Sequence, residues 1–421
     1  QNFNPVNQSP EDEQRWDREF LVARSTALER DDALAGGAVA EMVTSVVGTG
    51  LGLHPEPAMK LLDWSQDQSV DWSETTKERF QLWAQDPREC DLARRRNFYQ
   101  GQSLAYRTSL SRGDTFVLLP RRKHPGTTWA TKFQIIEGDR CCMPRGTTET
   151  DTFSQGVELD PATGCVQRYW FCKKYPRSVG LTSDDWMPVD AWDASGSRQV
   201  LHLMHEDRID LRRGYPLLGP VIQQLKQMSR LSESELAAAV VCSFFAVGVE
   251  KNGSGPGPLG PKGVDYKGNP VKELGPALIA EFQPGEKLVT IAPNRPNGAF
   301  DPFWRSLMGQ ISMRIQVPPE VLLKKFESSY TAARGALLQF WKFVLTEREN
   351  LLAPNFCQPL YEAWLAEEVA AGRIVAPGFF RDPLLRAAYC SARWIGDNPP
   401  ILDPLKEVMA SEEMIAWASK P

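Results

Sequence analysis

Apolar residues recur at helical spacing in the first part of the chain. Between residues 37 and 47, apolar side chains occupy every third or fourth position, which predicts a helix with one buried face. A glycine-rich turn beginning at Gly48 ends this pattern. A second helical stretch is predicted from Glu74 to Ser109, so the first ~110 residues are expected to be mainly helical.

The pattern changes between Asp114 and about Glu206. Short runs rich in β-branched and aromatic residues alternate there with turn residues such as Pro125-Gly126. The predicted strands are 115–119, 129–136, 166–172 and 199–204. This segment is therefore expected to form a small domain of antiparallel strands.

Helical periodicity returns from Pro216 to about Phe245 and again from Asp301 to Ile315. Between these helices lies a segment rich in glycine and proline, 253–261, which predicts a surface loop within a small insert. A polar loop, 320–330, is expected before a long helix that starts near Thr331 and is kinked or ended by Pro354. The fold class predicted for the whole chain is α+β, mainly helical.

Composition and charge narrow the functional classes. The 421 residues include 42% hydrophobic and 24% charged residues, which excludes a largely disordered chain. The longest apolar stretch without charge, Leu236–Val249, is shorter than a membrane span requires, and no secretory signal is visible. A net charge of −5 argues against a protein that wraps nucleic acid tightly, but not against one that lets DNA pass.

The usual catalytic motifs are missing from the sequence. It contains no phosphate-binding GxxxxGK[ST], no HExxH and no GxSxG, and the carboxylate pairs Asp184-Asp185 and Glu367-Glu368 are expected to face solvent. His202 and His205, followed by Glu206 and Asp207, have the spacing of a metal site on a helix. Their apolar neighbours indicate a strand instead, on which residues three apart point to opposite faces. We therefore expect no catalytic residue, no metal and no cofactor.

Two basic segments stand out in this acidic chain. Residues 88–123 hold nine Lys or Arg against three Asp or Glu, including Arg94-Arg95-Arg96 on the predicted helix. They could form a face that contacts phosphates, a solvated helix face, or salt bridges between subunits. Lys324-Lys325 lies in the predicted loop before the long helix, a plausible position for a functional loop or an ordinary connector.

Four segments together resemble the portal proteins of lambda-like tailed bacteriophages. The first contains Val46-Val47-Gly48-Thr49-Gly50, the second Arg213-Gly214-Tyr215-Pro216, the third 329–338 with Arg334, and the fourth Asp403-Pro404-Leu405-Lys406. Their order and spacing match the family over about residues 20–410. The resemblance thus marks Gly48, Gly50, Arg213, Gly214, Arg334, Asp403 and Lys406 as family-motif positions.

The resemblance implies a portal fold whose subunits form a ring of about twelve around a central channel. The regions it implies are a wing at 1–215, a first stem helix at 216–247, a clip at 248–297, a second stem helix at 298–317, a tunnel loop at 318–330, a long kinked wing helix at 331–375, and the wing or start of the crown at 376–421. The DNA-facing tunnel-loop residues would be Lys324, Lys325, Phe326, Glu327, Ser328, Ser329 and Tyr330. The residues of the clip that dock partners would be Lys251, Lys262, Tyr266 and Lys267.

The implied function is passage of double-stranded DNA at one capsid vertex during packaging and ejection. The expected partners are other copies of the chain, the DNA, the terminase large subunit, head-completion or tail-connector proteins, and the major capsid and scaffold proteins, without a membrane. The expected location is the virion, and the host cytoplasm during assembly. Two alternatives stay open: a metal-dependent hydrolase using His202, His205, Glu206 and Asp207, and a monomeric nucleic-acid adaptor using Arg94–Arg96.

Overall fold

The computed structural model describes residues 7–244, 248–251, 286–289, 300–325 and 329–398. The chain divides into two compact units. The larger combines Gln1–Leu225 with Met308–Pro421, and the smaller is Lys226–Leu307. The described part is mainly helical with short antiparallel strands, which confirms the predicted α+β class.

Helices make up most of the described chain. They are α1 Pro10–Asp31, α2 Ala33–Val46, α3 Met59–Leu62, α4 Gln66–Gln85, α5 Pro87–Cys90, α6 Phe98–Arg112, α7 Ile222–Phe244, α8 Phe300–Ile315, α9 Pro319–Leu323, α10 Tyr330–Glu347, a π-helix Arg348–Cys357, α11 Gln358–Ala370 and α12 Pro383–Cys390. The strands are β1 Gly52–Pro55, β2 Asp114–Leu118, β3 Gln134–Glu137, β4 Phe153–Ser154, β5 Val157–Leu159, β6 Val166–Cys172, β7 Trp186–Asp190, β8 Val200–Met204, β9 Gly248–Lys251, β10 Glu286–Val289 and β11 Ala392–Ile395.

The helical stretch predicted from Glu74 to Ser109 is three helices rather than one. Helix α4 ends before Asp86, whose carboxylate caps α5 by accepting from the Arg88 amide, and Pro87 supplies the first residue of α5. Helix α6 then starts afresh at a capping box in which Asn97 and Gln100 bond each other's backbone amides. The segment 91–97 between α5 and α6 is therefore a loop, and Arg94–Arg96 lie on it.

The strand predicted at 129–136 is shortened to β3, but the expected antiparallel strands are present as two small sheets within the larger unit. One has the strand order β3-β2-β8 and the other β4-β5-β6-β7. Their apolar faces share one core, in which Phe116 of β2 packs on Tyr169 and Phe171 of β6 with ring centroids 5.2 Å apart in each pair. Edge-to-face packing of this kind stabilises the contact between the sheets.

A second core joins the N-terminal helices to the C-terminal part of the larger unit. Phe80 of α4 lies 5.2 Å from Trp364 of α11 and 5.9 Å from Trp394 of β11, measured between ring centroids. The expectation that Glu367-Glu368 is solvated was wrong at Glu368. This residue is fully buried, because its carboxylate accepts hydrogen bonds from Arg79, Trp129 and Arg373 at the edge of this core.

Two prolines are accommodated within helices of the larger unit. Pro319 starts the short helix α9, which extends into the loop predicted at 320–330, because proline fits the first turn of a helix. Pro354 neither ends nor breaks the long helix. The chain continues as a π-helix around it, and the wider turns relieve the clash between the proline ring and the carbonyl four residues earlier.

The smaller unit is described only in part. It contains most of α7, the first turns of α8, and the antiparallel pair β9 and β10, in which Gly248 faces Val289 and Lys251 faces Glu286. This pair lies in the segment between the two helices where the sequence predicts a small insert. No helix in the described ranges is long and apolar enough to cross a membrane.

Candidate functional site

The family-motif residue Arg213 lies at the centre of a buried ionic cluster. Its Nε donates to Asp114 Oδ2 over 2.5 Å and one terminal nitrogen donates to Asp114 Oδ1 over 3.1 Å. The remaining donor capacity goes to backbone carbonyls of Gly138, Cys141 and Gln155. Both charged side chains are buried, with exposed fractions of 1% and 0%. Arg213 thereby joins strand β2 to the loops between β3 and β5.

A second arginine, Arg18 of α1, reaches the same carboxylate. It donates to Asp114 Oδ1 over 2.9 Å and to the Gly214 carbonyl over 3.1 Å. Gly214 in turn crosses Gly113 so closely that a Cβ on Gly214 would lie 1.9 Å from the Gly113 oxygen. Only glycine fits this crossing, which explains why the motif pairs Gly214 with Arg213.

The charges of this cluster decide the protonation of its members. Burial by itself would raise the pKa of Asp114, but the positive charges of Arg18 and Arg213 hold that pKa well below its usual range. Burial lowers the pKa of His202, whose Nε2 lies 3.4 Å from Asp114 Oδ2 and whose ring stacks on Phe116. His202 is therefore a neutral structural partner of the ionic cluster.

The first motif, the turn after α2, is held by residues far along the chain. Gly48 and Gly50 adopt left-handed backbone angles, with φ of +56° and +111°. The Asp397 carboxylate accepts from the Thr49 amide and hydroxyl, both over 3.1 Å, and a Cβ on Gly48 would lie 2.2 Å from this carboxylate. The two glycines thus permit a turn that the C-terminal part of the larger unit holds in place.

Arg348 completes this contact. It donates to the Val46 carbonyl over 2.7 Å, the Ser45 carbonyl over 3.0 Å and the Asp397 carbonyl over 2.8 Å. These acceptors include carbonyls at the C-terminal end of α2, where a cation is favourable. The first residue of the π-helix therefore fixes the end of α2.

The preceding residue, Glu347, makes a separate set of contacts. Its carboxylate lies 3.0 Å from His205 Nε2 and accepts from the Tyr106 hydroxyl over 2.8 Å. Burial lowers the pKa of His205, but the hydrogen bond and charge of Glu347 outweigh it and raise that pKa above its ordinary value. Burial and the Glu347 charge raise the pKa of Tyr106 far more, so this phenol stays protonated.

The two histidines therefore contact different carboxylates. His202 faces Asp114, His205 faces Glu347, and the predicted strand before them is β8. Among the residues that the structure describes, no group of three or more His, Cys, Asp or Glu could hold a metal ion. This arrangement removes the geometric basis of the hydrolase hypothesis.

The segment predicted as the tunnel loop is described at both ends. Lys324 follows α9 in a left-handed conformation, its side chain is 80% exposed, and its Nζ lies 3.7 Å from Glu41 Oε2 of α2. Ser329 caps α10 by accepting from the Ala332 amide, and Arg334 is exposed one turn further on. Lys325 precedes the undescribed residues Phe326, Glu327 and Ser328, and Tyr330 is the first residue of α10.

The other predicted site residues lie elsewhere. Lys251 ends strand β9, whereas Lys262, Tyr266, Lys267, Asp403 and Lys406 lie outside the described residues. Four residues were not predicted from the sequence: Asp114, Arg18 and Asp397, which hold motif residues in place, and Glu347, which pairs with His205. Only the sequence Gly113-Asp114 after a helix could have drawn notice, since the partners of Asp114 lie about a hundred residues away on either side.

The buried cluster generates a stability prediction. Replacing Asp114 with Asn should lower the free energy of unfolding by about 3–5 kcal/mol, because two buried guanidinium groups lose their counter-charge. Asp190→Asn, which removes an exposed partner of Arg168, is the matched control and should cost less than about 1 kcal/mol. Urea unfolding of the purified variants measures both. A cost for Asp114→Asn as small as the control's would contradict the role of the cluster.

The pair His205–Glu347 generates a prediction about pH. The pKa of His205 is higher in the folded protein than in the unfolded chain. The pair therefore stabilises the fold fully at pH values below the pKa of the unfolded chain, and this stabilisation is lost as pH rises through the pKa of the folded protein. The stability advantage of wild type over His205→Gln should therefore shrink as pH rises above about 6.5, the ordinary pKa of histidine. Asp207 and Arg314, whose charges also act on His205, are retained in both proteins.

Urea unfolding at each pH measures this difference. The control repeats the comparison in proteins that carry Glu347→Gln. Without the carboxylate, the pH-dependent part of the stability change caused by His205→Gln should largely disappear. A constant difference across the pH range in the presence of Glu347 would show that His205 does not titrate in this pair.

Comparison with known proteins identifies the family. The model of the phage portal protein, lambda family, matches residues 1–348. The portal protein of Escherichia phage N15 is 22% identical over 417 residues, covering 93% of this chain and 78% of the relative. Portal protein B of Escherichia phage lambda is 21% identical over 416 residues, covering 93% and 77%.

Two solved structures of gene transfer agent (GTA) particles are also similar. A chain of the virion of the native particle covers 96% of this chain and 88% of its own length at 12% identity and a TM-score of 0.49. A chain of the neck of the native particle, computed with C12 symmetry, covers 91% and 94% at 12% identity and a TM-score of 0.47. Because the family model spans most of the sequence, the chain belongs to the lambda family of phage portal proteins.

Proposed function

We propose that this chain is one subunit of a ring of about twelve copies that forms the DNA channel at one capsid vertex. Membership of the lambda portal family over residues 1–348 carries this proposal. The relatives named as portal proteins agree with it. Double-stranded DNA would pass through the ring during packaging and ejection, in the virion and, during assembly, in the host cytoplasm.

In this ring, residues 216–247 and 298–317 would be the stem helices and 248–297 the clip. In the smaller unit, Leu236 of α7 is 67% exposed and Phe303 of α8 is 55% exposed. Large apolar side chains exposed on helices are typical of surfaces that another subunit covers. A repeated head-to-tail contact between identical copies closes into a ring when its rotation allows. These side chains would lie in such contacts.

The clip would carry the docking residues Lys251, Lys262, Tyr266 and Lys267. We propose that they contact the terminase large subunit first and the head-completion or tail-connector proteins later. Residues 1–215 and 331–375 would form the wing, and 376–421 the wing or the start of the crown. These regions would face the capsid and scaffold proteins. The driving ATPase would be a separate protein, so the chain itself needs no catalytic residue.

The tunnel loop, 318–330, would face the DNA. Each phosphate that a channel neutralises adds affinity and hence friction, so a channel poor in cations lets DNA slide. The net charge of −5 per chain, repeated around the ring, supports this. Lys324, exposed and paired loosely with Glu41, and Lys325 would provide a sparse ring of cations that centres or retains the DNA.

Ring assembly is tested by replacing Leu236, the most exposed large apolar residue among the described side chains of α7. Leu236→Glu should reduce the ring fraction at a given concentration, because each contact loses about 1.5–3 kcal/mol of apolar burial and gains a buried charge. Particle mass and negative-stain images of the purified protein measure this. Ser234→Glu, which adds the same charge at an exposed position of α7, is the control and should still form rings.

Two outcomes would count against the assembly proposal. A wild-type chain that stays monomeric under all conditions would overturn the ring. Equal ring fractions for Leu236→Glu and Ser234→Glu would remove Leu236 from the contact.

The tunnel loop is tested by Lys324→Ala combined with Lys325→Ala. Rings should still form, but packaged DNA should be retained less well, because the proposed ring of cations is removed. A packaging assay with nuclease protection of the packaged DNA measures this. Lys60→Ala combined with Lys77→Ala, two exposed lysines outside the loop, is the matched control. Unchanged packaging and retention would show that the two lysines are not the DNA contact.

A further inference from the structure

Two neighbouring loops of the larger unit form a surface that we call the basic patch. It consists of Arg94, Arg95, Arg96, Arg121, Arg122 and Lys123. The loops are adjacent, because the Leu92 amide donates to the Phe133 carbonyl over 3.0 Å and the Arg122 amide donates to the Ala130 carbonyl over 2.7 Å. All members are exposed except Arg96, which is half-buried.

The backbone under the patch is fixed. The buried Asp91 carboxylate accepts from the backbone amides of Ala93, Arg95 and Arg96 over 2.9–3.1 Å, so its charge is used to shape the first loop. In the second loop, the Thr127 hydroxyl bonds both the amide and the carbonyl of His124. A surface held in place before binding loses little freedom when a ligand arrives.

The charges of the patch are not balanced within the described part of the chain. None of its members forms an ion pair there, although other exposed arginines do, such as Arg88 with Asp86 and Arg393 with Glu56. Burial and the charges of Arg94 and Arg122 lower the pKa of His124, which shows that both loops direct positive charge to the same place. The acid that Arg121 influences, Asp193, is already bonded by Ser195 and Ser197.

The surroundings of the patch favour a phosphate backbone over a protein. Protein interfaces have an apolar centre, but neither loop contains a large exposed apolar side chain. Interfaces with DNA are polar and strongly positive. Single-stranded nucleic acid is usually held by stacking on exposed aromatic rings, and the aromatic ring within the loops, that of Trp129, is buried.

We propose that the basic patch binds the phosphate backbone of double-stranded DNA without reading its sequence. This contact is separate from the proposed channel and does not depend on it. DNA lying against the surface of the larger unit, rather than DNA threaded through a ring, would be the ligand. A chain with a net charge of −5 would then bind duplex DNA through this one positively charged surface.

The test uses a covalently closed circle of double-stranded DNA, because a closed circle cannot thread a preformed ring. A full-chain variant should bind the circle at least about tenfold more weakly at low salt when it combines Arg94→Gln, Arg95→Gln and Arg122→Gln. The slope of log affinity against log salt concentration should be less negative by about 3, since each of the three lost phosphate contacts changes this slope by about 0.9. Fluorescence anisotropy of a labelled circle measures both quantities.

The controls separate this surface from charge in general. Lys60→Gln, Lys77→Gln, Arg381→Gln removes the same charge at exposed positions outside the patch and should bind like wild type. Arg94→Lys, Arg95→Lys, Arg122→Lys should retain most of the affinity. Particle mass is measured for every sample, so a failure to form rings is seen independently of DNA binding.

Three results would overturn the proposal. One is wild-type affinity in the Gln variant, and another is an equal loss in the control. The third is unchanged DNA binding with a lowered particle mass, which would identify the patch as a contact between copies of the chain.

Discussion

The folding of the larger unit depends on one buried carboxylate, that of Asp114. Two arginines and a histidine converge on it from α1, from β8 and from the segment that leads to Pro216. A buried charge is tolerated only when it is paired and hydrogen-bonded, and here backbone carbonyls accept the remaining hydrogen bonds of Arg213. Because each partner comes from a different part of the chain, the cluster forms only when all of them have folded together.

The sequence predicted the repeating parts of the fold well. Helices and strands with a regular apolar period were located, and strand β6 was placed at 166–172 as the structure has it. The helical stretch predicted from Glu74 to Ser109 is three helices in the structure. Asp86 and Asn97 each cap the start of a new helix, which the apolar pattern does not reveal. The pattern left open whether Pro354 kinks or ends the long helix, and periodicity does not reveal the π-helix that continues the chain there.

The candidate site was predictable only by resemblance. Gly48, Gly50, Arg213 and Gly214 were singled out as motif positions, but nothing local to them names Asp397 or Asp114 as their partners. Such partners are set by tertiary folding, which composition and spacing do not encode. The solvent exposure of the basic residues was also not predictable from the sequence. The pattern predicted Arg94–Arg96 as part of a helix, whereas they lie on a loop shaped by the buried Asp91, which leaves Arg94 and Arg95 exposed to solvent.

The neighbouring residues Glu347 and Arg348 have a mechanical consequence for the long helix. Successive side chains on a helix point about 100° apart, and these two bind different parts of the larger unit, Tyr106 with His205 on one side and the end of α2 on the other. Rolling the helix about its axis would have to break both sets of contacts at once. The opposite end, where Thr331 and Arg334 are exposed, has no comparable pair of anchors among the described residues. A force applied at that end would therefore bend α10 rather than turn it.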